Sequence, residues 1–203
     1  MQQFKALSGQ LCSNAGEAGE IARGTIEAAH HARLDRVAGH PKNDRYGLRR
    51  RLFVVAQGYT FRSDPAAFVL GPTGLAVDGS GNLFVASTAD NEIFKVPNAT
   101  KPVPAPATTG AVVFSDSHLR GPLALVFSPT GTLLTANGDA VSADPAHPSE
   151  IVEFTTAGVF IRELNIEATE GGAFGLAINT NTNASFDFAA VDDITNSVIL
   201  RGR

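Results

Sequence analysis

The sequence predicts an all-β chain, a β-propeller with three four-stranded blades, because one segment recurs three times and each copy is rich in short apolar runs. The copies align on Leu75, Leu125 and Leu176, which are spaced by about 50 residues. A repeat of roughly that length, with several short strands in each copy, is typical of propeller blades. The repeat therefore indicates the fold class on its own.

Within each copy the strands follow from local chemistry. Residues 79–82 (Gly-Ser-Gly-Asn) separate two apolar runs and predict a hairpin turn, and residues 129–131 (Pro-Thr-Gly) do the same in the second copy. Runs of consecutive apolar residues are expected where neighbouring blades cover both faces of a sheet. The strands predicted with numbered bounds are 75–77, 83–86, 93–96 and 111–114 in the first copy, 151–154 and 159–164 in the second, and 176–178, 186–191 and 198–200 in the third.

The ends of the repeat predict an assembly. The third copy stops after three strands, and an extra apolar run, 52–56, precedes the first copy, so we expect this run to complete a third-copy blade. Closed propellers need about 4–8 blades, and an open end would expose apolar surface that favours association. The sequence therefore predicts a homodimer that closes a six-bladed ring by exchanging this strand. An open three-bladed monomer is the alternative.

The first quarter of the chain differs from the rest in charge. Residues 1–51 carry nine Lys or Arg and five Asp or Glu, a net charge of +4, whereas residues 52–203 carry seven and fifteen, a net charge of −8. An Ala-rich stretch at 18–37 predicts a partly ordered helix, which its glycines weaken. A boundary near Arg51 therefore separates a partly helical N-terminal extension, 1–51, from a three-bladed half-propeller, 52–203.

The composition excludes several classes of function. With 43% hydrophobic and 18% charged residues, the chain is expected to be globular and soluble. A net charge of −4 argues against a nucleic-acid partner. Apolar runs of 18 residues are missing, so no membrane partner is predicted, and the first residues lack the pattern of a secretion signal. The single cysteine, Cys12, cannot form an internal disulfide. Motifs of serine hydrolases, phosphate loops and structural zinc sites are missing.

The first copy also shows a family resemblance. Residues 71–96, with their Gly-Leu-Ala-Val and Gly-Asn-Leu-Phe-Val-Ala segments and the Asp90-Asn91 turn, resemble an NHL repeat. The resemblance covers about 52–203 and departs at 138–149, where a longer loop replaces the short turn. It implies a propeller fold in which many members are binding scaffolds. Similar six-bladed propellers of the gluconolactonase, paraoxonase and diisopropyl-fluorophosphatase groups hydrolyse lactones or phosphotriesters with a metal in the central tunnel.

His118 is the first candidate for chemistry. It precedes the inner strand of the second blade, so its imidazole is expected to approach the tunnel and to ligate a metal or act as a general base. The alternative is an ordinary loop histidine.

Four oxygen-bearing residues follow the second strands of two blades. Asn137 and Asp139 follow that strand in the second blade, and Asp192 and Asp193 follow it in the third. Together with His118, they are the predicted ligands of a divalent metal, calcium or zinc, and the carboxylates of Asp139 and Asp193 are candidates to activate water. The alternative is that these side chains bond their own backbone in blade turns.

Two functions remain open. One is a hydrolase of esters, lactones or phosphotriesters that acts on a small-molecule substrate at a polar or metal-bearing tunnel, with His118, Asp139 and Asp193 as catalytic residues. The other is a non-catalytic NHL-type binding scaffold. The fold alone does not decide between them.

Overall fold

Short runs of β-branched and aromatic residues, which favour strands, alternate with turn residues along most of the chain. The structure is a computed structural model that describes residues 54–65, 68–101, 108–181, 183 and 185–202. These described residues form thirteen strands and no helix. The predicted all-β class is therefore confirmed. The helix predicted at 18–37 and the single cysteine, Cys12, lie outside the described residues.

The strands fall into three larger antiparallel sheets and one short hairpin. Blade 1 contains β3–β6, blade 2 contains β7–β10, blade 3 contains β11–β13, and β1 pairs with β2 ahead of blade 1. Their bounds are β1 Arg62–Asp64, β2 Phe68–Leu70, β3 Pro72–Val77, β4 Leu83–Ser87, β5 Glu92–Val96, β6 Ala111–Phe114, β7 Pro122–Phe127, β8 Leu133–Asn137, β9 Glu150–Phe154, β10 Phe160–Asn165, β11 Ala173–Ile178, β12 Phe186–Asp192 and β13 Ser197–Gly202.

The three sheets repeat one another in register as well as in order. In each sheet consecutive strands pair antiparallel, and the first pair has an irregularity shortly after its start, between Pro72 and Leu75, between Pro122 and Leu125, and between Ala173 and Leu176. The repeat seen in the sequence is therefore a structural repeat, and its strands lie within three residues of the predicted bounds.

The sheets stand side by side with their first strands neighbouring, β3 beside β7 and β7 beside β11, as in a propeller. The two inner strands approach closely at Gly74, where a Cβ atom would lie 2.2 Å from the carbonyl oxygen of Leu123. One apolar core fills the space between blades 1 and 2, and includes the stacked rings of Phe114 and Phe154, 4.3 Å apart. A second core, which includes Ala136 and Phe188, joins blades 2 and 3.

Blade 3 has three strands in the described chain, as the sequence predicted for the third copy before an added strand completes it. The run that precedes the first copy differs from its prediction. The described part of the predicted strand 52–56 is not a strand, because Ala56 packs on the face of blade 1 together with Tyr59. The first strand is instead β1. The homodimer stays a prediction. Within the described residues, no helix is long and apolar enough to cross a membrane.

Candidate functional site

Six polar residues meet at the end of blade 2 where β7 and β9 begin and β8 ends. Some belong to the loop that enters the blade, and the others to β8, β9 and β10. Hydrogen bonds or ion pairs link them into a continuous network. We call this group the blade 2 cluster: Asp116, His118, Arg120, Asn137, Glu150 and Glu163.

His118 is held on three sides. Its Nδ1 lies 2.5 Å from Oδ1 of Asp116, and its ring stacks on Phe160, with centroids 3.8 Å apart and planes within 10°. Its Nε2 lies 3.9 Å from Oε2 of Glu163, which is beyond hydrogen-bond distance. The side chain is 33% exposed. The imidazole is thus fixed in orientation while one nitrogen can still reach a small molecule.

The position of His118 differs from the prediction that it approaches the tunnel. Phe160 and Glu163, which its ring contacts or faces, both belong to β10, the outermost strand of blade 2. The ring therefore lies beside the outer strand, whereas the inner strands β3, β7 and β11 neighbour one another.

Asp116 is an ionised partner for His118. Its Oδ1 also accepts a hydrogen bond from the backbone N–H of His118, 3.0 Å away. That backbone bond, and then the bond from the imidazole, hold the pKa of Asp116 below its ordinary value although partial burial opposes them. A carboxylate on Nδ1 keeps the proton on that nitrogen and leaves Nε2 to accept one.

Arg120 is the buried cation of the cluster. Its Nη1 lies 2.9 Å from Glu150 and 3.1 Å from Glu163, and its Nη2 lies 3.4 Å from Asp144. Only 7% of its side chain is exposed. Burial alone would lower the pKa of Arg120, but the hydrogen bond to Glu163 and the nearby carboxylates raise it. The guanidinium therefore stays charged and organises the acids around it.

Glu150 is the most buried acid of the cluster. Its side chain is fully buried, and burial raises its pKa to about 7 against the hydrogen bond from Asn137 and the charge of Arg120. One guanidinium faces three carboxylates here, so the carboxyl group with the least solvent is the one that most readily holds a proton.

Asn137 ties the network to the backbone. Its Nδ2 donates to the carbonyl oxygen of His118 at 2.7 Å and to Glu150 at 3.3 Å, and its Oδ1 accepts from the backbone N–H of Arg120 at 3.0 Å. Asn137 is itself fully buried. Its three bonds fix the loop that carries His118, so it positions the site.

The repeat shows that these charges are special to blade 2. Arg120, just before the Gly-Pro that opens blade 2, stands where the first copy has Leu70 and the third has Gly171. Leu70 is a buried apolar side chain, so the repeat does not need an arginine at this position to fold. The residues that we did not predict had two available sequence signals. One is this difference between copies, and the other is Glu150 directly before the apolar residues Ile151 and Val152.

Asp139 bonds residues outside the cluster, although its charge is one of the causes that raise the pKa of Glu150. Its Oδ2 accepts hydrogen bonds from the backbone N–H groups of Ser149, at 3.0 Å, and Gly171, at 2.8 Å, so it joins the long loop of blade 2 to the loop that enters blade 3. Its Oδ1 is buried without a hydrogen-bond partner. The role that these contacts show is structural.

Asp192 ends β12, and Asp193 follows it. Asp192 accepts bonds from the backbone N–H groups of Ile194 and Thr195, both at 3.1 Å, which form the turn before β13. The hydrogen bond from the Thr195 hydroxyl, and then these backbone bonds, hold the pKa of Asp192 below its ordinary value although burial opposes them. The side chain of Asp193 is exposed, and its backbone N–H bonds to Gly172.

The five predicted metal ligands do not gather at one point in a single chain. Asn137 touches the backbone of His118, whereas Asp139 and Asp192 are engaged in separate loops. Throughout the described part of the chain, no group of three or more His, Cys, Asp or Glu side chains is arranged to hold a metal ion. In a single chain these residues therefore form no calcium or zinc site, and a metal site shared between two copies stays a prediction.

Comparisons with known proteins concern the fold. No protein-family model matches the chain, and no curated protein sequence matches it. Among solved structures, virginiamycin B lyase from Staphylococcus aureus is similar with a TM-score of 0.38 and 16% identity over 66% of this chain and 42% of that chain. A gluconolactonase-like protein gives 0.43 and 15% over 75% and 49%, and a streptogramin B lyase gives 0.32 and 13% over 69% and 56%.

These neighbours are six-bladed propeller-type proteins. The chain spans about half the length of each of them. The resemblance to the NHL repeat stays a prediction.

Proposed function

We propose that the protein is a propeller-type hydrolase of esters, lactones or phosphotriesters, with His118 as the general base and Asp116 as the residue that orients it. The observation that carries the proposal is the His118–Asp116 pair, with Nδ1 on the carboxylate at 2.5 Å, the ring stacked on Phe160, and one third of the imidazole exposed. A histidine in that arrangement is prepared to take a proton at Nε2.

In the proposed reaction, Nε2 of His118 removes a proton from a water molecule as the water oxygen attacks the carbonyl carbon or the phosphorus. The imidazolium then returns this proton to the leaving oxygen as the bond to it breaks, so the base is regenerated. Asp116 stabilises the imidazolium through Nδ1. The carboxylate of Glu163 faces Nε2 at 3.9 Å.

Arg120 acts in this proposal as a positioning residue. It bonds Glu163 at 3.1 Å and the buried Glu150 at 2.9 Å, and so holds Glu163 beside the imidazole. A buried guanidinium with two carboxylate partners has little freedom to turn toward a substrate. We therefore expect its replacement to disturb His118 through Glu163, with no direct loss of a substrate contact.

The test is hydrolysis of a panel of aryl esters, lactones and phosphotriesters. His118→Ala should lower kcat/KM by roughly 10²–10⁴-fold, the usual contribution of a general base, and added imidazole should restore part of the activity. The matched control is His147→Ala. The side chain of His147 is 56% exposed, and its partner is Asp144 at 3.0 Å. This variant should leave kcat/KM unchanged.

The role of Asp116 has its own variant. Asp116→Asn keeps the size of the side chain but removes the charge that stabilises the imidazolium, so kcat should fall with little change in KM. Equal activity of His118→Ala and the wild type would overturn the proposal, and so would a wild type that hydrolyses no member of the panel above the buffer rate.

The second candidate function is a non-catalytic NHL-type binding scaffold. Blades 1 and 3 expose apolar side chains, which favour this candidate, because large exposed apolar surfaces mark interaction sites. This candidate predicts no turnover of any substrate and no effect of His118→Ala on partner binding.

A further inference from the structure

Both ends of the row of blades expose an apolar sheet face. On blade 3, the exposed side chains include Val191, Val198 and Leu200, with Val198 exposed by 66%. On blade 1 they include Leu75 and Val77, with Leu75 exposed by 62%. Such surfaces on a soluble chain indicate a binding partner. The register of the strands shows which partner each face fits.

In blades 1 and 2, one face of each sheet packs on the blade that follows. We call it the forward face, and its members occupy the same paired positions on the first three strands of each blade. The forward faces are Ala76, Phe84, Ala86 and Ile93 in blade 1, and Val126, Leu134, Ala136 and Ile151 in blade 2. The same positions in blade 3 are Ala177, Ala189, Val191 and Val198. The exposed face of blade 3 is therefore a forward face without a following blade.

The opposite face of each sheet receives the preceding blade, and we call it the backward face. It includes Leu125, Leu133 and Val152 in blade 2, and Leu176, Phe188 and Ala190 in blade 3. The same positions in blade 1 include Leu75, Leu83, Val85 and Phe94. The exposed face of blade 1 is therefore a backward face without a preceding blade. The two end faces of the row of described blades therefore correspond to the two halves of one repeated interface.

Part of the backward face of blade 1 is already covered by its own chain. Ala56 and Tyr59 pack there, and the Tyr59 ring meets Phe94 edge-on at 5.3 Å. The inner part stays open and forms a cavity of about 300 Å³. The residues that line it are Val55, Ala56, Tyr59, Pro72, Thr73, Leu75, Leu83 and Val85.

The spacing of β1 explains why that segment lies there. The fourth strands β6 and β10 each end eight residues before the next blade begins, at Phe114 and Asn165. β1 ends at Asp64, eight residues before Pro72 opens blade 1. By position, β1 is thus the fourth strand of a blade that precedes blade 1. Among the described residues, no further strands pair with β1 and β2, and blade 3 has three strands without a fourth.

We infer that the partner on both faces is a second copy of this chain. The forward face of blade 3 packs on the backward face of blade 1 of the other copy, and β1 of that copy pairs with the free edge of β13 as its fourth strand. Among the described strands β1 pairs with β2 alone, so its second edge can take this bond. Two copies then make two identical contacts and close a ring of six blades. The exchanged strand is β1, in place of the 52–56 run that the sequence predicted.

Cysteine cross-linking tests the strand exchange. By analogy with the pairs Ile93 with Phe114 and Glu150 with Asn165, Asp64 should lie opposite Val198 or Ser197 of the other copy. In a Cys12→Ser background, Asp64→Cys combined with Val198→Cys or with Ser197→Cys should give a covalent dimer on oxidation. Asp64→Cys with Arg201→Cys is the control, because about three residues of strand exceed the roughly 7 Å reach of a disulfide.

The result expected is a non-reducing gel band at twice the chain mass for at least one of the two pairs and none for the control. No covalent dimer from either pair would overturn the exchange. A ladder of trimers and longer products would show an open polymer and would overturn the closed ring.

A second measurement does not depend on engineered bonds. Val198→Asp places a charge in the proposed interface and should convert the dimer into a folded monomer, seen by light scattering with an unchanged β-sheet circular dichroism spectrum. Ile194→Asp is the matched control, because Ile194 is a similarly exposed apolar residue in the turn before β13, outside the forward face. If both variants keep the mass of the wild type, the proposed interface is wrong.

Discussion

The buried Glu150 makes a definite prediction about the pH dependence of stability. Its pKa is raised from 4.5 to about 7 in the folded chain, mainly by burial. Between those two values the unfolded chain has released the proton and the folded chain still holds it, so stability falls as the pH rises through this window. One pKa unit corresponds to about 1.4 kcal/mol, so the full effect is about 3 kcal/mol.

Glu150→Gln isolates this effect. The amide keeps the size of the side chain and can still bond Asn137, but it does not titrate. The measurement is urea unfolding of the wild type and the variant at several pH values from 4.5 to 8. The free energy of unfolding of the wild type, relative to that of the variant, should fall by about 3 kcal/mol over this range, and other titrating groups cancel in the difference.

The matched control is Glu92→Gln, which changes the glutamate that opens β5, at the same position of blade 1 as Glu150 in blade 2. Glu92 is partly exposed, and its substitution should shift stability by no more than about 0.5 kcal/mol. A difference between wild type and Glu150→Gln that stays constant from pH 4.5 to 8 would refute the reasoning, because it would mean that burial does not change the protonation of Glu150.

Two further variants test the cluster and the contact between blades. Arg120→Met leaves buried carboxylates without their cation and should cost about 3–5 kcal/mol of unfolding free energy. Arg201→Met changes an exposed arginine and should shift the unfolding free energy by no more than about 0.5 kcal/mol; equal losses in urea unfolding would contradict the buried cluster. Gly74→Ala would put a Cβ atom 2.2 Å from the Leu123 carbonyl oxygen and should cost at least about 1–3 kcal/mol, while Gly79→Ala meets nothing within 4 Å. Matching melting temperatures for the two alanine variants would argue against the close approach of the inner strands.

Much of the fold could be predicted because the repeat carries its own register. A period of about 50 residues places equivalent leucines at the same point of each inner strand, and turn residues mark where strands end. The strand predicted at 111–114 coincides with β6, and the three-stranded third copy is present as expected. These features are local or repeated, so pattern reasoning reaches them.

The errors have a common physical cause. The run 52–56 is apolar, and its described part packs on a sheet face through Ala56. An apolar run is expected both for a segment buried against a sheet and for a buried strand, so the sequence alone does not separate the two. β1 is only three residues long, Arg-Ser-Asp, and has no apolar alternation to reveal it. Its role is visible only from the number of residues that separate it from the start of blade 1.

The site was predicted in part for a similar reason. His118 and Asn137 were found because they flank strands, and the structure brings them into contact. Glu150 and Glu163 were missed because they meet Arg120 only through pairs 30 and 43 residues apart in sequence. Asp139 and Asp192 were singled out by residue type, yet their carboxylates bond loop backbone.

The central claim is that the two end faces of the row of blades are halves of one interface. The mass of the unmodified chain in solution tests this claim most directly. Light scattering at several concentrations should give about twice the chain mass of 21.2 kDa, as expected for two copies that close one ring. A mass of 21.2 kDa at all concentrations would contradict the account, because the forward face of blade 3 and the backward face of blade 1 would then stay in water.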